Sequence, residues 1–130
     1  MEESPRRQAR ELVLKSLYAC EIEENHPDDV IRQIIETAEL PGRQVEFARN
    51  YFQLVRREQS WADDIIQSLS ENWEIKRITC LDLIILRMAV VELKYIPDTP
   101  VKVALNEAIE LAKKYSTGES PSFINGILDN

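Results

Sequence analysis

The chain has 130 residues, of which 44% are hydrophobic and 30% charged, with only three Gly and six Pro. Such a chain can bury roughly two-thirds of its unfolded surface, which excludes a disordered protein, a small disulfide scaffold and a turn-rich sandwich of many short strands. Sixteen Lys and Arg against 23 Asp and Glu leave a net charge of −7, a field that repels nucleic acid and acidic membranes unless a local basic patch works against it.

In chain order the helix punctuation is legible. Ser4-Pro5 sets a capping hydroxyl before a proline at the first helical position. Ala9, Leu12, Val13, Leu17 and Cys20 then recur at helical spacing, which predicts a first helix to about Glu24. Asn25-His26-Pro27 interrupts it. Val30, Ile31, Ile34, Ile35 and Ala38 form a second apolar stripe, stopped by Leu40-Pro41-Gly42. A third helix starts near Arg43, with Val45, Ala48, Phe52 and Val55 inward and Phe47, Tyr51 and Leu54 widening the face. Ser60-Trp61-Ala62-Asp63 resembles a capping box for a fourth. Asn72-Trp73 opens a short ambiguous segment. Thr79-Cys80-Leu81-Asp82 caps a very apolar helix through Leu93, Thr99-Pro100 starts the next to Tyr115, and Ser120-Pro121 starts the last. The prediction is an all-α fold of about seven helices in two packed three-helix-type bundles. It forms a single domain over 1–130, with halves of about 1–72 and 73–130.

Several chemistries lose their support. His26 is the single histidine and has no second ligand at metal spacing, so no metal site is expected. No glycine-rich phosphate loop, dinucleotide fingerprint or nucleophile elbow occurs, so neither a cofactor nor catalysis is expected. Cys20 and Cys80 form no C-x-x-C pattern and read as free, buried thiols in a reducing cytoplasm. Leu81–Val91, the longest apolar stretch, contains Asp82 and Arg87 and is too short to span a bilayer. The arginine-bearing start lacks the apolar core of a signal peptide.

The informative segment is Pro5-Arg6-Arg7-Gln8-Ala9-Arg10. Two cations occupy the first turn of a helix, where the dipole favours Asp or Glu. Between Ser4 and Tyr18 the cations Arg6, Arg7, Arg10 and Lys15 face Glu11 alone, a local +3 in a chain at −7. Charge alone leaves two readings open. The arginines are solvated, with Arg10 paired to neighbouring glutamates, or they contact phosphates beside the exposed amides of the helix end. A small patch on an acidic body suits a single-stranded segment better than a long duplex. Tyr18 is a base-stacking candidate or a wet packing residue. Asp82 reads as the N3 residue of a cap and as an exposed acidic contact for a basic partner. Arg87, inside the most apolar helix, is expected to snorkel or to meet a buried carboxylate such as Glu107 or Glu92. Gly126 implies close helix approach or a contact surface.

Several strings together resemble the bacterial transcription antitermination factor NusB family. They are Arg6-Arg7-x-Ala9-Arg10-Glu11 with Leu17-Tyr18, Asn72-Trp73, Ile85-Leu86-Arg87-x-Ala89, Glu92-Leu93, Pro100 through Lys113, and Phe123-Ile124-Asn125-Gly126-Ile127-Leu128-Asp129. The resemblance covers nearly the whole chain and is most specific after residue 79. It implies no catalysis, pairing with the basic ribosomal protein NusE, and binding to boxA RNA of ribosomal RNA leader transcripts within an RNA polymerase antitermination complex. It assigns Arg6, Arg7, Arg10, Tyr18, Glu119 and Phe123 to RNA and Asp82 to the NusE side. Gln8 stands where some members have a third arginine, Ser70 where some have an aromatic, and Asn130 where many continue. Two other classes compete: a detached helical module of a ribosomal RNA methyltransferase, and a pure protein-interaction bundle or homodimer that hides the arginines.

Overall fold

The computed structural model of the chain describes residues 4–22, 26–70 and 74–129. Among them seven α-helices follow in order: α1 (Pro5–Ile22), α2 (Pro27–Glu36), α3 (Gly42–Arg57), α4 (Gln59–Leu69), α5 (Cys80–Tyr95), α6 (Val101–Tyr115) and α7 (Ser120–Leu128). A 3₁₀ turn at Ile75–Arg77 precedes α5, and no described residue lies in a strand. The all-α expectation holds. The readings placed on Glu24, Asn25 and Asn72-Trp73 fall outside the described residues.

Helix ends differ from the sequence punctuation at three places, and the starts of α4 and α6 are closed by backbone bonds without a capping side chain. Helix α2 stops at Glu36, ahead of Pro41; the Thr37 amide bonds to the Gln33 carbonyl and its hydroxyl donates 2.9 Å to the Ile34 carbonyl, which satisfies the last turn. Ser60 is not a cap: α4 starts from Glu58, whose carbonyl accepts from the Ala62 amide at 2.9 Å. Pro100, rather than Thr99, sits at the cap of α6, and its carbonyl accepts from Val103 and Ala104.

The chain divides into two compact units, Met1–Leu54 and Val55–Asn130. The boundary therefore falls inside α3 and not near residue 72, since α4 packs on α5 and belongs with the second unit. In the first unit α1 packs along α2. Its buried apolar set is Ala9, Leu12, Val13, Leu14 and Leu17 from α1, Val30, Ile31 and Ile35 from α2, and Ala48, Tyr51 and Phe52 from α3.

In the second unit α5 is the central helix, packed by α4, α6 and α7. Ile84, Ile85, Leu86, Met88, Val90 and Val91 are all buried, as suits a helix that is apolar on most sides. Each such side chain contributes about 1.5–3 kcal/mol by leaving water. Arg87 is held on this helix by Asp63 of α4, with Nε and an Nη donating to its two carboxylate oxygens at 2.7 and 3.0 Å. The expected carboxylate partner is present, and Asp63, which the sequence did not single out, supplies it. Where α4 begins and α5 ends, the Tyr95 hydroxyl donates to Glu58 at 2.6 Å and Trp61 packs edge-on against the Tyr95 ring.

Two smaller expectations are corrected. Cys80, at the first position of α5, is exposed and Cys20 is half-buried, so neither is a core thiol. Among the described residues, a side chain at Gly126 would meet nothing within 4 Å, so no described helix approaches closely enough to require that glycine.

Candidate nucleic-acid interface

The start of α1 is built by its cap. Ser4 Oγ accepts from the Arg7 amide at 3.1 Å and its carbonyl from the Gln8 amide at 3.0 Å, which starts the helix at Pro5. No acidic residue occupies the first turn, so Arg6 and Arg7 stand against the helix dipole. What offsets this is an aromatic platform. The Arg6 guanidinium lies 3.8 Å from the centroid of Phe47, a residue of α3, and the Arg10 guanidinium lies 5.6 Å from it. Phe47 in turn meets the buried Tyr51 ring edge-on, with centroids 5.6 Å apart. Stacking of this kind fixes the plane of a guanidinium while its N–H edge stays able to meet an acceptor.

The platform separates three arginines that look equivalent in sequence. Arg6 and Arg7 are half-buried, with surface left to meet a ligand. Arg10 is only 4% exposed, and the neighbouring Glu11 is buried as well. The expectation that Arg10 shares an exposed patch is therefore corrected: one turn beyond Arg6, it is carried under the surface toward Phe47. Tyr18 is exposed, and it shares a strip of α1 with exposed Lys15 and Ile22. Phe47 carries no sequence signal for this role, because its spacing reads as the edge of an apolar helix face. A shallow groove of about 190 Å³ runs between α1 and the segment after α2, lined among others by Gln8, Glu11, Lys15 and Glu39.

A second group lies within the second unit, where α5 begins beside the α6–α7 turn. Thr79 Oγ1 accepts from the Asp82 amide at 3.4 Å, so the cap is present. The carboxylate has a different task. Asp82 is 6% exposed, and it accepts from the Ser116 hydroxyl at 2.7 Å and from the Ser120 hydroxyl at 2.9 Å. Ser116 and Ser120 are 2.8 Å apart, and Thr117 lies 3.2 Å from Ser120. With both serine protons on the carboxylate, the Thr117 hydroxyl is the one that can donate to the Ser120 oxygen. The expectation of an exposed acidic contact at Asp82 is thus corrected. Glu119 is exposed at the cap of α7, and its carbonyl accepts from the Phe123 amide at 3.1 Å. Phe123 is half-buried one turn further on. Asp82, Glu119 and Phe123 therefore converge on one helix start, while Arg6, Arg7, Arg10 and Tyr18 belong to the other unit. Ser70, at the position where some family members carry an aromatic, is buried with its hydroxyl on the Ile66 carbonyl at 2.7 Å.

No described residues form a group of three or more His, Cys, Asp or Glu able to hold a metal ion. No described helix is long and apolar enough to cross a membrane.

Fold and relatives together define a class: a non-enzymatic, all-helical transcription antitermination factor. The chain belongs to the NusB family, whose model matches residues 7–130. It is 45% identical over 124 residues to the transcription antitermination protein NusB of Trichlorobacter lovleyi, covering 95% of this chain and 87% of that one. T. maritima NusB, of solved structure, is 35% identical with a TM-score of 0.88, over 98% of this chain and 90% of that one. A NusB crystallised with NusE and double-stranded RNA shares the fold, with a TM-score of 0.86 at 22% identity over 96% and 93% of the two chains.

Proposed function

We propose that this chain pairs with NusE and binds boxA RNA of ribosomal RNA leader transcripts, and that the pair joins an RNA polymerase complex resistant to termination on ribosomal RNA operons. Its place of action is the cytoplasm. The observation that carries this reading is the stacked arginine start of α1. Arg6 is held on Phe47 at 3.8 Å beside Arg7, in a chain whose net charge of −7 gives no general attraction for RNA. Two guanidiniums placed against the helix dipole act there as phosphate ligands, with Tyr18 as a stacking face on the same helix. Glu119 and Phe123, at the start of α7 in the other unit, are assigned to the RNA as well. Membership in the NusB family and the likeness to a NusB solved with NusE and RNA support the assignment of partners.

The test is the double variant Arg6→Ala/Arg7→Ala in a salt titration with a boxA-type RNA oligomer. Two phosphate contacts by a single strand give a slope of about −1.4 in log K against log salt. We expect the variant to lose that slope and most of the affinity while its melting temperature stays unchanged. Unchanged affinity and slope would remove the arginines from the RNA surface. A wild-type protein that binds no RNA, alone or with NusE, would instead favour the interaction-bundle reading.

A further inference from the structure

The buried carboxylate of Asp82 has a geometry unlike that of a residue reaching for a partner. Both its oxygens are engaged, one by Ser116 and one by Ser120, at 2.7 and 2.9 Å. The two serines bracket the α6–α7 turn: Ser116 caps the end of α6 and Ser120 is the first residue of α7. Between them stands the exposed Glu119, and Phe123 follows one turn later. Only helix α5, through Asp82, supplies the negative charge that draws the two hydroxyls together among these bonds. A carboxylate accepting hydroxyl protons makes shorter and stronger hydrogen bonds than a neutral acceptor. Placed 34 and 38 residues away in sequence, it fixes the turn in a way that local backbone bonds do not.

We propose that Asp82 is a positioning residue: through Ser116 and Ser120 it latches the α6–α7 turn and so sets where Glu119 and Phe123 stand, without itself touching the partner. The inference rests on the proposed function for what Glu119 and Phe123 meet, but the latch is a property of the free protein. A side chain that holds the contact surface in its bound arrangement lowers the ordering cost of association. Removing it weakens binding even though no contact is lost.

The two possible roles of Asp82 differ in their response to substitution. Asp82→Ala removes the acceptor of both hydroxyls, and Ser116→Ala/Ser120→Ala removes the donors while leaving the carboxylate in place. Asp82→Asn removes the charge but keeps an oxygen for one serine and an amide that can donate to the other, since a hydroxyl both gives and accepts. For a latch, Asp82→Ala and the double serine variant each weaken binding of purified NusE or of the boxA-type oligomer by about fivefold. The triple variant adds nothing further, and Asp82→Asn keeps most of the binding. For a direct contact with a basic partner the order reverses: Asp82→Asn loses binding and the serine variant, with its carboxylate released, does not. That reversal would overturn the proposal.

Amide hydrogen exchange across residues 116–124 of the free protein reads the latch without any ligand. Both Asp82→Ala and the double serine variant should lose protection there, to the same extent, while α4 keeps its own. Unaltered exchange in either variant would also overturn the proposal. Failure of the wild-type protein to bind NusE or RNA would count against the function proposed above, while the exchange pattern judges the latch separately.

Discussion

At the scale of single residues, burial divides arginines that charge alone cannot tell apart. Arg6, Arg7 and Arg10 form one run of positive charge in the sequence, yet only the first two keep surface for a ligand. Arg10, at 4% exposure and 5.6 Å from the Phe47 centroid, has its stem and guanidinium packed in the protein. Truncating a packed arginine removes apolar contact as well as charge. We expect Arg10→Ala to lower unfolding stability by about 1–2 kcal/mol, in the range of ordinary core truncations, whereas Arg6→Ala stays within about 0.5 kcal/mol of wild type. Chemical denaturation of the two variants checks this. Equal stability of Arg10→Ala and wild type would return Arg10 to the RNA surface with its neighbours. Arg87 follows the same logic with a different outcome. Its position in an apolar helix announces a carboxylate partner, but nothing in the sequence points to Asp63, 24 positions away, because that contact is made by how α4 lies on α5.

At the scale of elements, the join between the start of α4 and the end of α5 carries a pH signature. The hydrogen bond from Tyr95 holds the Glu58 carboxyl below its ordinary range, with Arg57 assisting and partial burial opposing. The same bond, with burial adding to it, raises the Tyr95 hydroxyl above the ordinary tyrosine value. A lowered carboxylate contributes stability that is present above its ordinary value and is lost as pH falls through the folded value. A raised phenol contributes stability that is present below its ordinary value and is lost as pH rises through the folded one. The stability difference between wild type and Tyr95→Phe should therefore be flat between about pH 5 and pH 9.5 and shrink on both sides. Melting curves across that range check it, and a difference independent of pH would mean that the bond does not form in solution. The join itself was not legible in the sequence, where Ser60 offered the better cap. What was legible were the helices, since each apolar stripe has a strong period and most have Pro or a hydroxyl at the start. The arginine start of α1 was legible too, as a conflict between local charge and helix dipole. Phe47, Ser116 and Ser120 were not, because their roles arise from contacts with residues dozens of positions away.

At the scale of the whole molecule, the question is how a chain at −7 holds an RNA. Its body raises the free energy of an approaching polyanion, and the half-buried Arg6 and Arg7 offset that field over a few phosphates only. A basic partner bound to this acidic chain would cancel part of the negative field and add positive charge for the RNA to meet. Two ligands that each improve the field for the other are coupled, and the coupling is reciprocal: RNA must strengthen the protein pair by the factor with which the pair strengthens RNA binding. We expect the protein alone to bind a boxA-type oligomer weakly and NusE to improve the affinity by about tenfold or more, within the usual coupling range of about 1–3 kcal/mol. Titrating labelled RNA with each protein alone and with their mixture, at one fixed salt concentration, measures the factor. Repeating the titration at higher salt should shrink it, because screening weakens the repulsion that the partner relieves. Equal affinities for the free protein and the pair would show that the two surfaces act independently, and field compensation would then have no part in how this protein recruits RNA.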